Sequence, residues 1–486
     1  MQRIATPVPI AGGLAQHEVR VRQDLALLGI PAKPWLHPRR DPGGAEVLDV
    51  AIVGAGMNGI AAAAALLQRG ITGIALFDAN RPGLEGPWNR FARMDTLRSP
   101  KTLTGPALGI PSLTFAAWYS ASFGAAAWEA LYKIPNAIWV DYLSWLQRVL
   151  ALPVRHETAV AALRPAGGLL ALDCDAPGGA ATVLARRVVL ATGRGGAGGD
   201  LWPAIVPATL KPDLAAHGND PIDFARLRGK SVAVLGGSAS AWDNAATALE
   251  QGAASVDMYL RREHLPQVNK GRGSATPGFF HGWAFLPDAE RWALAAYLDG
   301  MLAPPPHETV LRALRSQGLS IRFGHHLATA RGEGAHIVLG LDAPEGRITR
   351  RHDFLIVATG FQVDADAVPE LAAFAPHVAR WGDRYTPPPE LDRPALAKAP
   401  YLGPGFELLP RGPEAPAELS RIHLVNYGAH VSQGAIASDV PGVTIAGDRV
   451  ATAITASLFA EDIATVRADL DAFDEPELKD TPFYRP

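Results

Sequence analysis

The chain has 486 residues, 48% of them hydrophobic and 19% charged, an ordinary globular composition with length enough for two or three domains and a large buried core. Its 45 basic residues nearly balance 48 acidic ones, for a formal net charge of -3, so no field of one sign argues for nucleic acid or an anionic membrane and neither partner is expected. Residues 1–10 lack a basic segment followed by an apolar one, so no secretion signal is expected and the protein reads as cytoplasmic.

Residues 1–45, rich in Pro, Arg and Gly, read as an N-terminal arm in which Gln16–Leu28 can form one amphipathic helix. From Leu48 the pattern changes. The β-branched run Val50-Ala51-Ile52-Val53 leads into glycines, an alanine-rich helix over Ile60–Arg69, a second apolar run Ile74–Phe77 and then Asp78, which is a strand, helix, strand unit. The same grammar returns with a strand at Ser231–Leu235, a helix at Ala241–Gln251 and a strand at Ser255–Leu260. The expected fold is therefore α/β, with two Rossmann-like dinucleotide-binding domains.

Two further strand-like runs, from Val188 and from Phe354, end in the same tripeptide, Ala191-Thr192-Gly193 and Ala358-Thr359-Gly360. If each closes a sheet and hands the chain on, the second unit is inserted into the first. This gives a discontinuous first domain of residues 46–215 and 355–486 around a second of residues 216–354. Residues 264–306 read as a covering lid or an added helical layer, and Pro441–Leu470 as one long helix. That helix contains Thr444-Ile445-Ala446-Gly447-Asp448, which matches a generic flavoprotein Gly-Asp motif but is read as helix interior.

Gly54-Ala55-Gly56-Met57-Asn58-Gly59 follows a strand and opens a helix, the context that gives a GxGxxG match its meaning. Gly54 makes the tight turn, Gly56 lets backbone approach a pyrophosphate, Gly59 lets helix and strand pack closely, and Asp78 is placed for ribose hydroxyls. The helix start offers free amides to the phosphates. The second loop, Gly236-Gly237-Ser238-Ala239-Ser240-Ala241, carries Ser238 where the second glycine is expected, which predicts crowding at the pyrophosphate. Its second strand ends in Arg261-Arg262 instead of an acid, which suits a 2′-phosphate and so NADPH over NADH; a solvated basic pair is the alternative.

The chain has one cysteine, Cys174, in the alternating stretch Leu169–Asp175, which reads as a buried strand residue. This excludes the disulfide reductases, which pair two dinucleotide-binding domains with a redox-active cysteine couple. With two fingerprints and two Ala-Thr-Gly strand ends, the chain resembles the class B flavoprotein monooxygenases, the family of flavin-containing, N-hydroxylating and Baeyer-Villiger enzymes. The resemblance implies FAD at Gly54, Gly56, Asn58, Gly59 and Asp78, and NADPH at Gly236, Ser238, Ala239, Ser240, Arg261 and Arg262. It places the Glu85-Gly86-Pro87-Trp88 stretch over the flavin, Arg98-Ser99-Pro100-Lys101 near its ring, Gly193 beside it, and Asp439 in a last flavin-contacting loop before the final helix.

What the family does implies a monooxygenase that takes hydride from NADPH and transfers one oxygen atom of O2 to a small organic substrate through a flavin C4a-(hydro)peroxide. Lys101 and Arg98 are the candidates for stabilising a peroxy anion by charge, with a surface or phosphate-facing cation as the alternative for each. The family's Phe, Gly and His signature before the second fingerprint is met only by His217, read as a hinge or nicotinamide-side group or a surface-loop histidine. Asn426, Tyr427, His430 and Ser432 are expected to line the substrate side or to be plain loop, and the aromatics Trp118, Tyr119, Trp128 and Trp139 to form an apolar pocket or core. No metal is expected and no oligomeric state is assigned. Two rival functions are an NADPH-dependent flavin reductase without oxygen transfer and a non-catalytic nucleotide-binding sensor.

Overall fold

A computed structural model describes residues 7–485, apart from the side chain of Ala437, so the first six residues of the N-terminal arm lie outside the described residues. In chain order the first strands are β1 (Arg39–Arg40), β2 (Glu46–Val53), β3 (Ile74–Phe77), β4 (Val154–Arg155), β5 (Ala159–Ala166), β6 (Leu169–Ala176) and β7 (Gly179–Leu190). Next come β8 (Ala215–His217), β9 (Ser231–Leu235), β10 (Ser255–Leu260), β11 (Leu319–Phe323), β12 (His326–Glu333), β13 (His336–Ala343), β14 (Gly346–His352), β15 (Phe354–Val357) and β16 (Ile422–Leu424).

One sheet runs β4-β3-β2-β7-β6-β5, with β1 on β2 and β16 on β7; a second runs β11-β10-β9-β15-β8; a third, antiparallel, runs β12-β13-β14. Strand β2 is buried at every position but its first because it lies in parallel between β3 and β7, with helix Met57–Leu67 packed on it. Such a strand reads as a continuous apolar run. The chain leaves the first sheet after β7, builds the second from β8 to β15, and returns to the first only at β16.

The two Ala-Thr-Gly strands do not close their sheets. β7 lies between β2 and β6, and β15 between β9 and β8, each parallel to the strand that carries a fingerprint. The second sheet keeps all of Phe354–Val357, so the hand-over back lies beyond Val357, not at residue 355. Residues 264–306 form a helical layer, including helices Pro277–Gly282 and Asp288–Met301. It docks on the short helix His430–Gln433 that follows β16: Trp283 Nε1 donates to the Val431 carbonyl at 3.0 Å and Arg291 to the Ser432 carbonyl at 3.3 Å.

The final helix is two helices, Val443–Glu461 and Ile463–Ala472, broken at Asp462. Both residues at the break are taken up by a fully buried arginine: Arg186 donates to Asp462 Oδ1 at 2.6 Å and Glu461 Oε1 at 3.1 Å, and lies 3.3 Å from Asp49. An isolated buried guanidinium is costly, and three carboxylates around one satisfy it. Arg39 of β1 bonds Asp462 as well. The expected Gly-Asp decoy indeed lies in helix Val443–Glu461, where Gly447 has a packing function. A Cβ on it would lie 2.7 Å from the Ala61 backbone of helix Met57–Leu67. Gly447→Val should therefore destabilise the protein by on the order of 3 kcal/mol through overpacking, read as a lower denaturant midpoint; an unchanged midpoint would show that the two helices separate freely.

Candidate active site

The first fingerprint loop is built as a cradle. Gly54, at φ 101°, leaves no room for a side chain because a Cβ would sit 2.5 Å from the Ala191 carbonyl, and a Cβ on Gly59 would sit 2.0 Å from the Gly54 carbonyl. Gly56 is different: the nearest atoms to a Cβ there are backbone atoms of Gly86, 3.9 Å away. Of the three glycines, only Gly56 would accept a Cβ without a clash, at the start of helix Met57–Leu67 and against Gly86 of the Glu85–Trp88 run. Asp78 is buried; its Oδ2 accepts from the Ala55 amide at 2.9 Å and its Oδ1 from the Asn80 amide at 2.9 Å, so the strand-end acid also holds the loop in shape. Beside Trp88, whose carbonyl accepts from Asn136 Nδ2 at 2.6 Å, two buried polar atoms, Asn136 Oδ1 and Trp139 Nε1, have no hydrogen-bond partner among the described residues. A glycine cradle whose second glycine has no close neighbour, with unsatisfied polar groups nearby, fits a dinucleotide such as FAD.

The second loop repeats this geometry. A Cβ on Gly236 would sit 2.4 Å from the Ala358 carbonyl, as one on Gly54 would from Ala191. In both units the first glycine thus presses on the alanine carbonyl of the neighbouring Ala-Thr-Gly. Ser238 leaves the loop's backbone undistorted. It caps helix Ala239–Glu250 with φ -90° and ψ -178°, close to the φ -73° and ψ -169° of Gly56, an extended conformation open to any residue. Its side chain is exposed and makes no capping hydrogen bond. Arg261 and Arg262 follow β10 with no ion-pair partner among the described residues, and burial, then the neighbouring Arg261, depress the Arg262 pKa. Two adjacent cations without a counter-ion at this strand end fit a 2′-phosphate.

The proposed chemistry-bearing cations separate. Lys101 is not brought to the cleft: its Nζ donates to the carbonyls of Trp128 at 2.7 Å and Glu129 at 3.2 Å and lies over the Trp128 ring, so its charge is already taken up. Arg98 is exposed, has no hydrogen bond or ion pair among the described residues, and lies within electrostatic reach of Asp243, Arg194 and Asp439. Ser99 beside it is half-buried. His217 is not a surface-loop residue, and its Nε2 has no hydrogen-bond partner among the described residues. It sits in edge strand β8, 1% exposed, with Nδ1 3.2 Å from Asp200 Oδ2. Asn426 and Ser432 are likewise buried and used structurally, Asn426 on Thr192 Oγ1 at 2.9 Å. Trp118, Tyr119 and Trp139 pack around Phe115 and Tyr142 in the main core, with Trp128 against its edge, and do not form a pocket.

Two further groups stand beside these: Arg93, just after the Glu85–Trp88 stretch that the resemblance places over the flavin, and Arg194, which had escaped the sequence reading. Arg93 spans the two units: it donates to the Asp220 carbonyl at 2.7 Å and stacks on Phe224, while its own carbonyl accepts from Arg312 at 2.7 Å. Burial pulls its pKa down to about 10, against the pull of Asp220. Arg194 directly follows Gly193, with its guanidinium over the Tyr427 ring at 4.8 Å; Tyr427 in turn stacks on His430 at 4.8 Å and 7°. Burial lowers the His430 pKa to about 4, so that imidazole is neutral at neutral pH. The available signal was position, since the residue after an Ala-Thr-Gly strand end lies at the carboxyl edge of the sheet, where open α/β sheets bind ligands.

Comparison with known proteins agrees with this architecture. Residues 51–273 match the family model described as pyridine nucleotide-disulphide oxidoreductase. The single buried Cys174 leaves no disulphide couple. Among solved structures, an ornithine N-hydroxylase of Kutzneria sp. 744 superposes with a TM-score of 0.68 at 17% identity, over 84% of this chain and 99% of that one. The ornithine hydroxylase of Pseudomonas aeruginosa does so with 0.68 at 16%, over 85% of this chain and 100% of that one. At these identities the likeness is one of fold. The FAD-dependent urate hydroxylase of Xanthomonas campestris pv. campestris is 42% identical over 454 residues, 92% of this chain and 94% of that protein. With that much of the sequence shared, on a fold it has in common with the N-hydroxylating enzymes, the chain belongs to the two-dinucleotide-binding-domain flavoprotein monooxygenases.

Proposed function

We propose that this protein is an FAD-dependent, NADPH-driven monooxygenase that inserts one oxygen atom from O2 into a small, planar nitrogen heterocycle of the urate kind. The observation that carries this reading is the 42% identity, spread over nearly the whole chain, with a protein named as an FAD-dependent urate hydroxylase. The paired cradles support it. FAD is assigned to the first unit, residues 46–215 and those after β15, through Gly54, Gly56, Asn58, Gly59, Asp78, Trp88, Ser99 and Gly193. NADPH is assigned to the inserted unit through Gly236, Ser238, Ala239, Ser240, Arg261 and Arg262. When bound, the flavin supplies hydride acceptance and the activation of dioxygen. The chain's own residues bind and orient: the two helix starts face the pyrophosphates, Arg93 holds the units at one angle, and the layer of residues 264–306 helps to exclude water. A cytoplasmic location, where NADPH is regenerated, goes with this reading.

Under anaerobic conditions NADPH should bleach the bound flavin, and in air urate should stimulate oxygen consumption and gain one oxygen atom from labelled dioxygen, as read by mass spectrometry. Hydrogen peroxide formation with urate untouched would favour the plain reductase, and failure of NADPH to bleach the flavin the nucleotide sensor.

A further inference from the structure

The cations around the cleft differ in how far their charge is already spent. Arg93 and Arg312 are tied to backbone carbonyls and carboxylates, and Lys101 to two carbonyls. Arg194 and Arg98 are not. Arg98 has no partner among the described residues, and Arg194 has only Asp439, at 3.5 Å, in a pair whose side chains are 49% and 50% exposed. An ion pair so exposed contributes little to stability. Yet Arg194 has its guanidinium over the Tyr427 ring at 4.8 Å, and Tyr427 is itself stacked on His430, whose Nδ1 lies 3.0 Å from the Tyr427 carbonyl. A guanidinium over an aromatic ring leaves N–H donors free, and their fork is what recognises planar anions in two-point fashion. It stands at the carboxyl end of β7, next to Gly193.

We infer that Arg194 is the residue that recognises the substrate's negative charge, presenting an in-plane donor edge to a planar heterocyclic anion, with Asp439 as the resident counter-ion that the substrate displaces. This rests on the urate-type reading above, since urate is an anion at neutral pH. Arg98, within electrostatic reach of Arg194, adds a second positive charge. Tyr427 and His430 are positioning residues: they fix the guanidinium plane, and His430 stays neutral, adding no cation to the stack.

Calorimetric titration of the FAD-loaded protein with urate, and separately with NADP+, tests this. Arg194→Met should raise the Kd for urate about ten-fold or more, the loss of a charge-assisted pair, while the Kd for NADP+ stays within about two-fold. Arg194→Lys, which restores charge without the fork, should recover only part of the affinity. Asp439→Asn, which removes the competing carboxylate and leaves the stack in place, should tighten urate binding; it also serves if Arg194→Met fails to fold. Wild-type affinity for urate in Arg194→Met overturns the assignment, as does an equal loss for NADP+, which would give Arg194 to the nucleotide. A wild-type protein that binds NADP+ but no urate would instead overturn the substrate reading beneath it.

Discussion

Gly56→Leu should give a folded but colourless protein. The three fingerprint glycines differ in what a side chain would meet, and this lets one of them separate folding from binding. At Gly54 and Gly59 a Cβ would collide with carbonyls 2.5 and 2.0 Å away, so substitution there breaks the loop itself. At Gly56 the backbone is extended, at φ -73° and ψ -169°, and a Cβ finds nothing closer than 3.9 Å. A leucine fits that backbone without strain and fills the space that a pyrophosphate would need. Far-UV circular dichroism should match the wild type, while the flavin absorbance of the purified variant falls to near zero. Its unfolding midpoint should equal that of wild-type protein stripped of flavin, because both have lost only the stabilisation that ligand binding confers. A yellow variant at full occupancy would remove the FAD assignment of this loop.

Replacing Arg261 and Arg262 together with alanine should raise the KM for NADPH about ten- to a hundred-fold, the range of one or two charge-assisted contacts to phosphate, and leave that for NADH within about two-fold. The argument is one of missing counter-ions. Neither arginine has a carboxylate partner among the described residues, and the Arg262 pKa is depressed by burial and by its neighbour, so nothing in the protein already consumes the charge. A 2′-phosphate would. Because the pair is open to solvent, the preference for NADPH should also shrink as ionic strength rises. A wild type that prefers NADH, or a double variant with unchanged preference, would identify the arginines as a solvated pair.

What could be read from the sequence was what is local in the chain. Both glycine loops, their helices and the acid or arginines at the second strand ends lie within single short stretches, and each stretch folds as its pattern implies. The Ala-Thr-Gly runs were legible as strands, but not their interior places in the sheets, because strand order depends on partners far away along the chain. The break at Asp462 has the same cause: its reason is Arg186, 276 residues earlier. At Ser238 the rule concerns the space beside a ligand, while the backbone there is one that serine adopts freely. Lys101 misled because charge says nothing of the carbonyls that claim it, and the Arg194–Tyr427 stack joins two segments that no sequence pattern connects.

The winding of the chain between its sheets also sets an order on its birth. The second sheet is made from one uninterrupted stretch, β8 to β15, whereas the first waits for β16 and for Glu461 and Asp462 to neutralise Arg186. A nascent chain emerging from the ribosome therefore completes its inserted second sheet while helix Met57–Leu67, which opens from the first glycine loop, still lacks its packing partner Val443–Glu461, and Arg186 of β7 two of its counter-charges. Loss of the last few dozen residues would leave a buried arginine with Asp49 alone of its three carboxylates, beneath an otherwise finished molecule. Premature termination near the end of the message should thus disable the flavin site first, even though that site's own sequence motif was among the first parts translated.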